Sequence, residues 1–341
     1  MPAAHPLVSV VIATYNRADI LPYAVRSALA SEGVAVEVIV IGDACSDGTA
    51  QAVEAIGDDR VRFVNLPRNW GEQSVPSNEG IALARGAFVA FLNHDDLFLP
   101  WHLADLVARH AAGADVAWSP GLVAHPGPSG EDGEPGFRYD VAGLTPDEDF
   151  DPSVIIIASL TSYRRDVLTR LHGWRRASQT VLSPSQDLLF RAHRAGCRVL
   201  RTARPSVLVL YSGERRGAYA RPSAREHAWL FARVSGDREA LLLDLLGATL
   251  GEPARQLRAI ENTSSLRYAL GRVQRLVRRL SRRCGWHPEA WKLWLRHRGR
   301  GGFINDVRRR GGLDAIDFGA REHGPENAKT DVPPADGSRQ A

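Results

Sequence analysis

The sequence predicts an α/β fold, a mostly parallel sheet flanked by helices and followed by a helical C-terminal region. Three observations carry this expectation. Apolar runs at 7–13, 36–41, 61–66 and 87–92 have the near-continuous pattern of strands buried on both faces. A polar turn and then a helix-period segment follow each of them, which is the signature of βα units. From about Arg221 onward strand signals stop and only helical periodicity remains.

In chain order, the first strand, Leu7–Ala13, runs into Thr14-Tyr15-Asn16-Arg17 and a helix over 18–31. The second, Val36–Ile41, runs into an acidic turn in which Asp47 or Thr49 can cap the next helix. A third strand covers 61–66, and a helix covers 74–85 with Gly86 placed to end it. After the fourth strand, 87–92, a helix is expected over 100–112 and a strand over 115–119. Residues 125–152 are rich in Gly, Pro, Asp and Glu and read as a long surface loop. A strand at 154–162, a helix at 187–195 and strands near 198–201 and 206–210 complete this part. The expected division is a catalytic domain over 1–215, a helical basic region over 216–318 and a disordered tail over 319–341.

The 341 residues, 44% of them hydrophobic, suffice for a large core. Cys45, Cys197 and Cys284 are widely spaced and lack any zinc or redox pattern, so a reducing compartment is expected. The sequence shows neither a signal-peptide pattern nor a membrane-spanning apolar run. The net charge of +4 hides an asymmetry: residues 267–310 hold fourteen Lys and Arg against Glu289 and Asp306. An anionic surface is the partner such a segment suits.

The strand at 87–92 ends in Asn93-His94-Asp95-Asp96. Adjacent carboxylates at the carboxyl end of a buried parallel strand suit a divalent cation holding a diphosphate. An acidic turn capping the next helix is the competing reading. Neither a Gly-x-Gly-x-x-Gly fingerprint nor a phosphate-binding Gly-x-x-x-x-Gly-Lys-Ser/Thr loop occurs, which argues against dinucleotide-binding and P-loop classes.

Five segments in order carry a resemblance: Val8-Ser-Val-Val-Ile-Ala-Thr-Tyr-Asn-Arg17, Ile41-Gly-Asp-Ala-Cys-Ser-Asp-Gly-Thr49, Asn78-Glu-Gly-Ile-Ala-Leu-Ala-Arg-Gly86, Phe91-Leu-Asn-His-Asp-Asp-Leu-Phe-Leu-Pro100 and Gln186-Asp187-Leu-Leu-Phe-Arg191. Together they resemble family 2 glycosyltransferases, inverting enzymes of the GT-A nucleotide-sugar-binding fold. The resemblance implies a hexosyltransferase-type enzyme that takes a nucleoside-diphosphate sugar, with UDP as the expected nucleotide. Thr14, Tyr15 and Asp43 would hold the base, Asn78 would belong to the donor site and Asp95 would reach the ribose. Asp96 would bind the divalent cation, Mn2+ or Mg2+, and Asp187 would be the general base for the acceptor hydroxyl. The implied acceptor is a saccharide or lipid-linked saccharide of an envelope polysaccharide. Three residues depart from the family pattern: Asn93 in place of an aspartate, Ala44 in place of a glycine, and Gln186 in place of a glutamate. They motivate the alternative of a catalytically degenerate sugar-nucleotide-binding or scaffold protein.

Leu266, Leu270, Val273, Val277 and Leu280 recur at helical spacing with arginines on the other faces, and Trp286, Trp291 and Trp294 follow. This basic amphipathic segment, 267–298, can lie on an anionic bilayer or dock on the body. A cytoplasmic enzyme, peripheral on the inner face of the plasma membrane, is expected. No recognised nucleic-acid fold accompanies the basic charge.

Overall fold

The computed structural model describes residues 7–236 and 287–318, apart from 130–132, 146–149, 213–214 and 222, and adds Leu241, Leu243 and Gly247. Residues 267–286 of the expected basic amphipathic segment 267–298, and the tail at 319–341, lie outside these residues.

The βα alternation appears as β1 (Val8–Thr14), α1 (Leu21–Leu29), β2 (Val36–Gly42), α2 (Thr49–Glu54), β3 (Val61–Asn65), α3 (Ser74–Leu83) and β4 (Phe88–Phe91). A short β5 (Leu97–Phe98), α4 (His102–Ala111), β6 (Val116–Trp118), β7 (Gly121–Gly127) and β8 (Gly136–Ala142) follow. Next come β9 (Thr161–Arg164), α5 (Arg165–Arg170), α6 (Pro184–Arg194), β10 (Val199–Arg201) and β11 (Val207–Val209). Described helices beyond them are α7 (Arg225–Ser235), α8 (Ala290–His297) and α9 (Gly302–Gly311).

The main sheet has seven strands in the order β10-β6-β9-β4-β1-β2-β3 and is parallel except for β9. β1 and β2 are buried nearly throughout because helices cover both faces, which explains their unbroken apolar runs. A second sheet, β5-β11-β7-β8, encloses its own core with Leu97, Leu122 and Leu208, against which Leu230 and Val234 of α7 pack.

Three local expectations are corrected. The segment 125–152 is not one long loop: β7 and β8 pair across it as an antiparallel hairpin. Its Gly and Pro content masks strands whose partners, not composition, decide their conformation. The strand expected at 154–162 begins only at Thr161, after a 3-10 turn over Ala158–Leu160. Gly86 does not end α3, which stops at Leu83 with Ala84 already extended. A Cβ on Gly86 would lie 2.7 Å from the Ser9 backbone nitrogen, so glycine is needed there for close approach to β1.

Candidate functional site

A cavity of about 430 Å³ opens at the carboxyl ends of β1, β2 and β4, where open α/β sheets bind ligands. Its size suits a small ligand. Four of the sequence-predicted residues meet there: Thr14, Tyr15, Asp43 and Asp95.

Thr14 ends β1 and is buried, and its Oγ1 has no hydrogen-bond partner among the described residues. A buried hydroxyl without a partner is costly, so a ligand acceptor or donor at this wall would satisfy it. Tyr15 stands 6.3 Å from Tyr219, ring centre to ring centre, and both line the cavity. Burial pushes the Tyr219 hydroxyl up to about 12. Asp43, just after β2, accepts hydrogen bonds from the backbone amides of Trp70 (2.8 Å) and Gly71 (2.7 Å). That pairing shapes the turn leading to α3 while the residue still faces the cavity. Ala44, where glycine is usual, holds φ at 56°, and Asn16 and Tyr211 are also left-handed. Tyr211 lines the cavity, and Asn16 and Ala44 directly follow its lining residues Tyr15 and Asp43.

The adjacent acids part company. Asp95 lines the cavity, accepts a hydrogen bond from Ser212 Oγ at 3.0 Å, and has its carbonyl held by His227 Nε2 at 3.1 Å. Asp96 turns inward and is 1% exposed. Its carboxylate accepts from Asn93 Nδ2 (2.9 Å), Ser159 Oγ and the Leu210 backbone amide (3.1 Å). Burial first, and the neighbouring Asp95 second, push the Asp96 carboxyl upward against those hydrogen bonds. Asp96, the residue expected to bind the metal, does not line the cavity, and three donors from the protein bond its carboxyl group.

Asn78 is also placed elsewhere. Its amide bonds the Trp174 backbone both ways, at 2.8 and 2.9 Å, and clamps α3 to the 173–176 segment without facing the cavity. Asp187 likewise does not line it. Its carboxylate is 2.7 Å from Arg191 Nε and 3.8 Å from Arg175 Nη1, and Arg191 in turn donates to the carbonyls of Leu171 and Gly173. From the start of α6 it is Ser183, Ser185 and Gln186 that reach the wall.

Among the described residues no three His, Cys, Asp or Glu side chains converge to hold a metal by themselves. Asp95 presents hard oxygen donors, which fit Mg2+ or Mn2+ when a bound diphosphate supplies further oxygens. Sequence reasoning missed the far wall, where Tyr211, Tyr219 and α9 contribute from the C-terminal side. No spacing signal points there, because contacts to those residues span more than a hundred positions. Among the described residues no helix is long and apolar enough to cross a membrane.

The model of glycosyl transferase family 2 matches residues 9–171. Over 113 residues the chain is 46% identical to the succinoglycan biosynthesis protein ExoO of Rhizobium meliloti, covering 33% of this chain and 32% of ExoO. Over 94 residues it is 38% identical to the putative teichuronic acid biosynthesis glycosyltransferase TuaG of Bacillus subtilis, covering 27% of this chain and 36% of TuaG. The chain thus spans about a third of the length of these two relatives. The crystal structure of S. aureus TarS 1-349 in complex with UDP-GlcNAc superposes with a TM-score of 0.51 at 18% identity, over 67% of this chain and 66% of that one. At that identity the likeness speaks for the fold alone, and it agrees with a GT-A-type sheet flanked by helices. Residues 9–171 accordingly match a glycosyl transferase family 2 domain.

Proposed function

We propose that the protein transfers a sugar from a nucleoside-diphosphate sugar, UDP-linked in the first instance, to a hydroxyl of a saccharide or lipid-linked acceptor in polysaccharide assembly. One observation carries the reading: the strand-end cavity is lined both by Asp95 and by Thr14, whose buried hydroxyl has no hydrogen-bond partner among the described residues. The UDP-GlcNAc bound to the fold relative TarS and the polysaccharide names of ExoO and TuaG support it. In this reading Tyr15 and Tyr219 flank the base, and Thr14 and Asp43 meet its polar edge or the ribose. Asp95 would hold the divalent cation, which supplies charge stabilisation to the leaving diphosphate when bound. Transfer is a single displacement with inversion. The decisive experiment measures UDP release from a panel of UDP-sugars with Mn2+ or Mg2+, with and without oligosaccharide acceptors. No release and no binding of any nucleotide sugar would remove the proposal.

A second reading, sugar-nucleotide binding without transfer, draws on the pairing of Asp187 with Arg191. To take the acceptor proton, Asp187 would have to leave that pair. Asp187→Asn separates the two roles. A general base predicts turnover lower by about 10²–10⁴-fold at unchanged thermal stability. A purely structural partner of Arg191 predicts a lower melting temperature with turnover per folded molecule retained.

The peripheral membrane location belongs to the same proposal. On α8, Trp291, Trp294 and Leu295 are 45%, 54% and 62% exposed and share one face, with Lys292 and Arg296 beside them. Full-length protein is expected to sediment with anionic liposomes, and the triple alanine variant at 291, 294 and 295 should stay in the supernatant. Equal sedimentation of both proteins counts against this helix as the anchor.

A further inference from the structure

We infer that Arg308, carried by α9 from the far end of the chain, is the cation that receives the donor's diphosphate, so that the C-terminal helix completes the donor site. The inference rests on the nucleotide-sugar reading above and goes beyond it by naming the group that meets the leaving phosphates.

The charge pattern of the cavity motivates it. Its acidic lining residues are Asp43, Glu72 and Asp95, and among the described lining residues Arg308 is the one Lys or Arg. A diphosphate entering an acidic cavity needs positive charge beyond one shared metal ion, and a guanidinium suits phosphate oxygens because its planar N–H fork can bond two at once.

The placement of Arg308 is built into the fold. Phe303, Ile304, Val307 and Arg308 share one face of α9, and all four line the cavity. Both ends of that helix are fastened to the body. Gly301 donates its amide to Thr180, while the carbonyls of Arg310 and Gly311 accept from the amides of Gly217 and Tyr219. Two backbone carbonyls orient the guanidinium itself: Nε donates to Asp314 at 2.7 Å and Nη1 to Gly71 at 2.8 Å. Gly71 is the residue whose amide binds Asp43, so Arg308 is tied to the same turn that shapes the cavity wall. The Tyr219 hydroxyl lies within electrostatic reach of both Asp95 and Arg308, which puts the anionic and cationic groups on neighbouring walls. Arg309 and Arg310, next in sequence, are exposed.

The chemistry follows from this arrangement. As the acceptor oxygen bonds to the anomeric carbon, the bond from that carbon to the β-phosphate oxygen breaks. Its electron pair leaves with the diphosphate, and the acceptor proton passes to a base or to water. Negative charge therefore grows on the terminal phosphate, where a fixed guanidinium is most effective.

The test is a calorimetric titration of full-length protein with UDP, GDP and dTDP, and with the matching monophosphates and nucleosides, with and without Mn2+. It uses wild type, Arg308→Gln, Arg308→Lys and Arg309→Gln. For whichever diphosphate wild type binds, Arg308→Gln should weaken affinity by about ten- to a hundredfold and leave nucleoside affinity within twofold. Arg308→Lys should recover part of the loss, and Arg309→Gln should match wild type. Unchanged diphosphate affinity in Arg308→Gln overturns the inference. So does an equal loss for nucleoside and diphosphate, which would mean that only the position of the helix had changed. Failure of wild type to bind any nucleoside diphosphate would instead sink the underlying donor-site reading.

Discussion

Asp95→Asn should lose nearly all glycosyl transfer while melting close to wild type, and Asp96→Ala should melt well below wild type. The pair separates two carboxylates that sit side by side in sequence. Asp95→Asn keeps the side-chain shape and an oxygen to accept from Ser212, so packing changes little. It removes the charge that faces the cavity. Loss of a single preorganised stabilising group commonly lowers turnover by about 10²–10³-fold, and loss of a metal ligand reaches the upper end. Asp96→Ala removes the acceptor of Asn93 Nδ2, Ser159 Oγ and the Leu210 amide in a site that is 1% exposed. Each buried donor left without a partner costs about 1–3 kcal/mol, so several kcal/mol are at stake. Differential scanning fluorimetry and initial rates of UDP release across a Mn2+ series distinguish the two. A stable Asp96→Ala protein that has lost only its metal response would return the metal to Asp96.

The second large effect concerns the opposite end of the sheet. Glu37, on β2, is 2% exposed and accepts from Ser9 Oγ (2.6 Å), the Arg85 amide (2.8 Å), Arg85 Nε (2.9 Å) and Arg62 Nη2 (3.0 Å). Ser9 Oγ also accepts from the Gly86 amide, so one carboxylate joins β1, β2, β3 and the turn before β4. Glu37→Ala leaves these donors without their acceptor and should destabilise the protein by about 3–5 kcal/mol. Because the cavity lies at the other ends of the strands, binding by the folded fraction should persist. Burial on its own raises the Glu37 carboxyl, but the hydrogen bonds from Ser9 and Arg85 and the charge of Arg62 outweigh it, so the net shift is below the ordinary 4.5. A carboxylate depressed in the folded state stabilises fully above its unfolded value. That contribution is lost as pH falls through the folded value. Urea unfolding between pH 7 and pH 3 should show wild type losing stability on acidification below about 4.5, with a shallower slope in Glu37→Gln. An identical slope in both proteins would refute the linkage.

Several features were legible in the sequence because they follow from local rules. Continuous apolar runs mark strands buried on both faces, and β1, β2 and β4 appear where those runs lie. Polar turns after parallel strands face the ligand-binding end of such a sheet, which is why Thr14, Tyr15, Asp43 and Asp95 share one cavity. Other features were not legible because they depend on side-chain direction or on distant partners. The composition of 125–152 hid β7 and β8, whose pairing with each other and with β11 makes them strands.

By itself the sequence determined a mostly parallel α/β sheet and the likeness of residues 9–171 to glycosyl transferase family 2. Only the tertiary structure decided which groups face the cavity. A one-residue step turns Asp95 into the cavity and Asp96 into a cage of three donors. Asn78 and Asp187 are drawn to Trp174 and Arg191 instead. Arg308 reaches Gly71 across 237 positions. Backbone periodicity is set by near neighbours and can be read along the chain. The direction and charge partner of a side chain are set by whatever packs against it, and for these residues that is chain from far away in the sequence.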